Sequence, residues 1–195
     1  MKLILASTST ARRAMLKAAG VPFEAVSSLI DERRVEDELH DIAPATLAAT
    51  LAQKKALAID AVPGTLVLGS DQILETTDGD SLSKPSTRDE ARVQLVGLRG
   101  RSHRLISAAA IAEQGNIVWR GSETATLVMR DLSDDFLGTY LEDEWDEVRH
   151  CVGGYRIEGS GAQLFESIEG SHFAILGLPL LPILSYLRTR GIIPK

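Results

Sequence analysis

Four consecutive apolar residues, Leu3-Ile4-Leu5-Ala6, open the chain and predict a short buried strand. The run passes through Ser7-Thr8-Ser9-Thr10 into Ala11–Ala19, which reads as a helix closed by Gly20. Hydroxyl residues at a helix start accept from its free N–H groups, and glycine after the last turn adopts the left-handed conformation. Phe23–Ser27 reads as a second strand and Asp31–Asp41, mostly charged, as a surface loop or ragged helix. Pro44 suits a first helical position and opens a helix expected to run to about Ile59. Leu66-Val67-Leu68-Gly69 predicts another buried strand, ending at Ser70-Asp71-Gln72. Thr87-Arg88-Asp89-Glu90 has the capping-box spacing, so Glu90–Leu98 is expected to be helical. Two β-rich runs between Ser102 and Met129 flank Gln114-Gly115-Asn116 and predict a hairpin. Ser133–Leu141 and Pro179 to about Thr189 read as further helices, and Gly153, Gly154, Gly159 and Gly161 mark loops or close backbone approaches. The pattern is mixed α/β, with a sheet expected to be shared by two lobes.

Composition narrows the partners. The chain has 195 residues, 44% of them hydrophobic, and a formal net charge of −6. That apolar content suffices to offset the entropy of ordering, so a folded chain is expected. The acidic balance argues against binding nucleic acid by bulk charge. No apolar run approaches the roughly 20 residues that span a membrane, and the first strand begins too early for a signal peptide. A cytoplasmic protein is the expectation. With Cys151 as the lone cysteine, an internal disulfide and a four-thiolate zinc site are excluded.

Two strand ends carry candidate chemistry. The segment Ala6–Arg13 joins a strand to a helix, and a helix N-terminus offers unpaired N–H donors and partial positive charge to phosphate. Ser7, Ser9 and Thr10 add hydroxyls, while Arg12 or Arg13 can grip an anion with two prongs. The first twenty residues hold Lys2, Arg12, Arg13 and Lys17 and no acid. A plain helix cap followed by solvated arginines accounts for the same residues. Asp71 arrives at the carboxyl end of an apolar strand, where open α/β sheets bind ligands, and can hold a divalent ion or polarise water. It equally suits a simple turn. Asp31 and Glu32 add carboxylates, and Lys54, Lys55 and Lys84 add cations. Singly these are surface charges; together they supply what phosphate chemistry requires. The acidic Glu142–Glu147 run reads as a solvated face. Walker A, dinucleotide, H-E-x-x-H and G-x-S-x-G patterns are absent from the sequence, and the four histidines show no metal-binding spacing.

Several separated motifs, in order, resemble the Maf family of nucleotide pyrophosphatases. L-I-L-A-S-T-S-T-A-R-R resembles the family's opening loop, G-S-D-Q its aspartate motif, S-K-P its G-K-P motif, and I-E-G-S-H-F-A-I-L-G-L-P-L its closing segment. The likeness runs nearly end to end and implies one Maf-like domain over 1–195, with an elongated mixed α/β sheet, flanking helices and two lobes around a central cleft. It implies hydrolysis of a nucleoside triphosphate to the monophosphate and pyrophosphate, with Mg²⁺ or Mn²⁺, and assembly as a homodimer. By motif position Asp71 is the implied proton acceptor. Ser7, Arg12 and Arg13 belong to the phosphate loop, and Glu32, Lys55 and Lys84 fill the remaining charged positions, with Glu32 and Asp71 toward the metal.

The family divides between dTTP/UTP and 7-methyl-GTP substrates. Gln72 after Asp71, Glu158 in R-I-E-G and His150-Cys151 before V-G-G-Y resemble the methylguanine branch. A carboxylate at Glu158 can accept from both N1–H and the exocyclic amine of guanine, a paired-donor edge that uracil and thymine lack. Thr10 stands where the family has proline, and Ala11 where this branch has tryptophan. The aromatic platform for a cationic base is therefore missing unless Tyr155 or Phe165 replaces it. A dTTP/UTP enzyme and a non-catalytic, nucleotide-binding regulator of cell division are the alternatives.

Overall fold

The computed structural model describes residues 1–39 and 42–194; His40 and Asp41, at the end of the charged stretch, lie outside the described residues, as does Lys195. In chain order the elements are β1 (Lys2–Leu5), α1 (Thr10–Ala18), β2 (Glu24–Ala25), α2 (Glu32–Glu38), α3 (Pro44–Leu57), β3 (Thr65–Thr76) and β4 (Ser81–Leu82). There follow α4 (Arg88–Leu98), β5 (Ser102–Glu113), β6 (Asn116–Met129), α5 (Asp134–Val148), β7 (Phe165–Glu169), α6 (His172–Ile175) and α7 (Leu180–Thr189). Short 3₁₀ turns occupy Val152–Gly154 and Ser160–Leu164.

The chain forms two compact units, Met1–Gln72 with Ile106–Thr124 and Ser171–Lys195, and Ile73–Leu105 with Ala125–Gly170. Strands β3, β5 and β6 each contribute residues to both, as the mixed α/β reading expected of the sheet.

In the first unit β1 runs parallel to β2 and to β3, with Leu3 opposite Leu66 and Leu5 opposite Leu68. Parallel strands are covered on both faces, which explains their unbroken apolar runs. Leu5, Leu16, Leu66, Leu68, Ile183 and Leu187 are wholly buried in one cluster, each worth about 1.5–3 kcal/mol of apolar burial. Ser9 caps α1 by accepting from Arg12 N–H, and Pro44 begins α3 without a side-chain cap.

Helix α3 lies against β3 at a point where bulk is impossible. A Cβ at Gly69 would stand 2.2 Å from the Ala52 carbonyl oxygen and 2.5 Å from the Ala56 nitrogen. Ala52 and Ala56 are fully buried. The small residues on both sides therefore let the helix axis approach the strand.

In the second unit β4 pairs antiparallel with β3, and β7 with β6, the latter interrupted by a bulge between Val128 and Met129. Helices α4 and α5 pack together over buried Leu95, Leu98, Leu137 and Leu141. Thr87 accepts from Glu90 N–H, as the capping-box spacing predicts, and Glu90 in return accepts from Ser86 N–H.

Several elements differ from the sequence expectation: the strand read over Phe23–Ser27 is only Glu24–Ala25, and β4, β7 and α6 were not expected. β3 continues through Asp71 to Thr76, so this aspartate lies within the strand. Polar Asp71, Gln72 and Glu75 around the short apolar pair Ile73-Leu74 break both the apolar run and any two-residue alternation, which hides the continuation. α5 extends to Val148 and absorbs the acidic run; there Arg156 bonds both Glu144 and Glu147 at 3.2 Å. Asp31 caps a regular helix, α2, across the charged stretch.

Candidate active site

The site-forming side chains of the first unit gather where β3 leaves its apolar stretch. Because successive strand residues face opposite ways, Gly69 meets α3 while Ser70 turns to β5. The Ser70 hydroxyl donates within 2.8 Å of Ala108 O and 3.0 Å of Gly177 O. Asp71 follows on the α3 side, 6% exposed.

Lys55 reaches it from the last turns of α3. Its Nζ lies 2.5 Å from Asp71 Oδ1 and 2.9 Å from Glu32 Oε1. The lysine is 4% exposed, a rare state for an ammonium that is tolerated because two carboxylates surround it. Glu32, in the first turn of α2, is half-buried. One cation thus bridges a strand and two helices.

Arg12 is fixed from another direction. Its Nε donates to Gly177 O at 2.7 Å and its Nη1 to Ser70 O at 2.9 Å. Burial pushes the guanidinium below its ordinary pKa, while Asp71 and Glu32 push it up. Those influences place its charge in the field of both carboxylates. Gly177 has φ +92°, and a Cβ there would stand 3.3 Å from Arg12 Nε. The glycine therefore satisfies both the turn and the arginine beside it.

Ser7 is half-buried and accepts from Ser9 N–H at 3.2 Å, giving the β1–α1 loop its shape. Arg13, one position on, is exposed. The side-chain nitrogen of Gln72 donates to Ser107 Oγ, Ala174 O and Ile175 O at 3.1, 2.8 and 2.9 Å. These bonds hold the end of α6, so Gln72 has only its carbonyl oxygen to present to a ligand.

The second unit carries the other two expected residues. Lys84 is exposed just before buried Pro85, and Glu158 is exposed beyond Tyr155. Both act on Cys151, whose thiol is pushed up to about 11 by burial and by Glu158, against Arg156 and Lys84. Tyr155 and Phe165 are 4% and 5% exposed and pack edge-on, 4.8 Å apart, beside His103. They form core, which corrects the expectation that either could replace the missing aromatic platform at Ala11.

Sequence reasoning gave no site role to Gly69, Ser70, Ser107 or Gly177. The signal for three of them was their place inside G-S-D-Q and G-L-P-L; Ser107 had none.

A cation trapped between strand and helix carboxylates, beside an anchored arginine, suits an anionic ligand. Comparison with known proteins agrees. The chain is 43% identical to the nucleoside triphosphate pyrophosphatase of Sphingopyxis alaskensis over 100% of both chains. It is 46% identical to that of Roseobacter denitrificans, over 99% of this chain and 98% of the relative. Identity to the 7-methyl-GTP pyrophosphatase of Mesorhizobium japonicum is 45%, over 98% of each. A family model described as Maf-like protein matches residues 2–190, which takes in β1, the Lys55–Asp71 pair and the Gly177 turn, and the chain belongs to the Maf family.

Proposed function

We propose that this chain hydrolyses a nucleoside triphosphate to the monophosphate and pyrophosphate. The observation that carries the proposal is the convergence of Asp71, Lys55, Glu32 and Arg12 at one stretch of β3. Hydrolysis at phosphorus requires a base for water and neutralisation of charge growing on the phosphate oxygens. Asp71 has its Oδ1 tied to Lys55, and its other oxygen is the one offered to water. Arg12 keeps Nη2 for a phosphate oxygen, since Nε and Nη1 are anchored. Its position is set before substrate arrives, which limits reorganisation in the reaction. Arg13 and the Ser7 hydroxyl are assigned to the phosphate loop.

Asp71 and Glu32 also suit a divalent cation. Both carboxylates touch one nitrogen, so two anionic oxygens already face a common point. Magnesium is commonly held by one or two carboxylates, with substrate phosphates and water completing its shell. When bound, Mg²⁺ or Mn²⁺ supplies Lewis-acid neutralisation of the polyphosphate.

Lys84 and Glu158 are assigned to the same reaction through the family motifs. The preferred base is 7-methylguanine, recognised by the exposed carboxylate of Glu158; the Mesorhizobium relative supports this choice. Residues 1–195 are taken as one functional domain.

Pyrophosphate release tests the reaction. Purified protein with Mg²⁺ or Mn²⁺ is given 7-methyl-GTP, dTTP, UTP and CTP in turn. Stoichiometric pyrophosphate is expected, and nucleotide binding without product would refute enzymatic function. Asp71→Asn should bind nucleotide while losing at least ~100-fold in turnover, the scale of general-base loss. Near-normal turnover would remove Asp71 from the chemistry. Glu158→Gln should lose activity selectively on 7-methyl-GTP; a uniform loss across bases would assign it another role.

A further inference from the structure

Two carboxylates and one ammonium form a closed arrangement in the first unit. The side chains of Lys55 and Asp71 are 5% and 8% exposed, whereas that of Glu32 is 38% exposed. Lys55 Nζ contacts an oxygen of each acid, and these are the same two acids assigned to the divalent cation. A divalent ion at those oxygens would meet an ammonium already seated there. Like charges at contact distance repel, least tolerably in a buried, weakly screened place.

The two basic groups differ in freedom to yield. Arg12 is held by two backbone carbonyls. Lys55 is bonded only through its terminal nitrogen to ionised partners, on a four-carbon stem with rotatable donors. We infer that Lys55 is a placeholder: its ammonium occupies the carboxylate oxygens of Asp71 and Glu32 in the free protein and leaves them when the metal enters with an anionic polyphosphate. This rests on the divalent-cation role proposed above for the two acids. Lys55 is accordingly a positioning residue before substrate arrives. Its stem then swings the ammonium to the incoming phosphate oxygens, so one cation replaces another without leaving the carboxylates uncompensated.

The test is Mn²⁺ binding to the free protein, followed by electron paramagnetic resonance without nucleotide. Wild-type should bind weakly, and Lys55→Met more tightly by roughly tenfold or more, within the usual range of coupling between two ligands. Lys55→Arg, which keeps the charge, should stay near wild-type, and Glu32→Gln added to Lys55→Met should abolish the gain. Equal or weaker Mn²⁺ affinity in Lys55→Met overturns the proposal.

Lys55→Met leaves two buried acids unpaired, so a measurement on wild-type accompanies it. The ¹H–¹⁵N signal of the Lys55 ammonium should shift when saturating Mg²⁺ and the α,β-methylene analogue of 7-methyl-GTP are added together. An unchanged signal at saturation shows ammonium and metal coexisting and likewise overturns the proposal. Failure of the enzymatic reading is separate: it appears as absent pyrophosphate release, whatever the Mn²⁺ titration gives.

Discussion

Lowering the pH should destabilise the fold through one buried histidine. His103 is 1% exposed, its Nε2 lies 2.6 Å from Tyr155 Oη, and its buried Nδ1 has no hydrogen-bond partner. Burial lowers its pKa from the ordinary 6.5 to about 4. Between those values the unfolded chain binds a proton that the folded chain refuses, so stability falls as pH falls. Each pKa unit corresponds to 1.36 kcal/mol, and the full shift is therefore worth about 3 kcal/mol. Urea unfolding of wild-type and His103→Phe, followed by tryptophan fluorescence from about pH 7 to about pH 4, isolates this contribution. Phenylalanine keeps a ring in the aromatic cluster but takes no proton. Near pH 7 it should cost about 1–3 kcal/mol, because the tyrosine hydroxyl loses its partner. The wild-type advantage should then shrink by about 3 kcal/mol toward pH 4. Carboxylates titrate in the same range but are common to both proteins and cancel in the difference. A difference that stays constant across the range would refute the argument.

Two further outcomes follow from local geometry. Gly177→Ala should lower stability by about 1–2 kcal/mol, the cost of a side chain at positive φ, and should raise KM as Arg12 is crowded; unchanged urea midpoint and KM would contradict the fixed-arginine account. Cys151, with its thiol pushed up to about 11, should react with iodoacetamide at about pH 8 roughly a hundredfold more slowly than a free cysteine. A rate that reaches half its plateau by about pH 9 would show an unshifted thiol.

The legible part of this molecule is the part governed by nearest neighbours in sequence. Apolar runs marked β1 and the first half of β3, and hydroxyl caps marked α1 and α4. Gln114-Gly115 marked the hairpin, both residues having positive φ. The second half of β3 was hidden because it mixes Asp71, Gln72 and Glu75 with apolar residues, and their partners are distant in sequence. The site shows the same division. Asp71 stood out at a strand, but its pairing with Lys55 and Glu32 depends on how α2 and α3 pack. Arg12 was expected at a phosphate. Its anchorage by Ser70 and Gly177, 58 and 165 residues away, was beyond any local pattern.

Gly69 gives the charged centre its dimensions although it carries no functional group. With Ala52 and Ala56 it acts as a spacer gauge, and the reach of Lys55 toward Asp71 is calibrated by how thin that gauge is. An added methyl there would lift the whole helix and every side chain borne on that face. Retuning the centre by design is thus a matter of steric volume as much as of charge, with the adjustment hidden in the residues a chemist would pass over first.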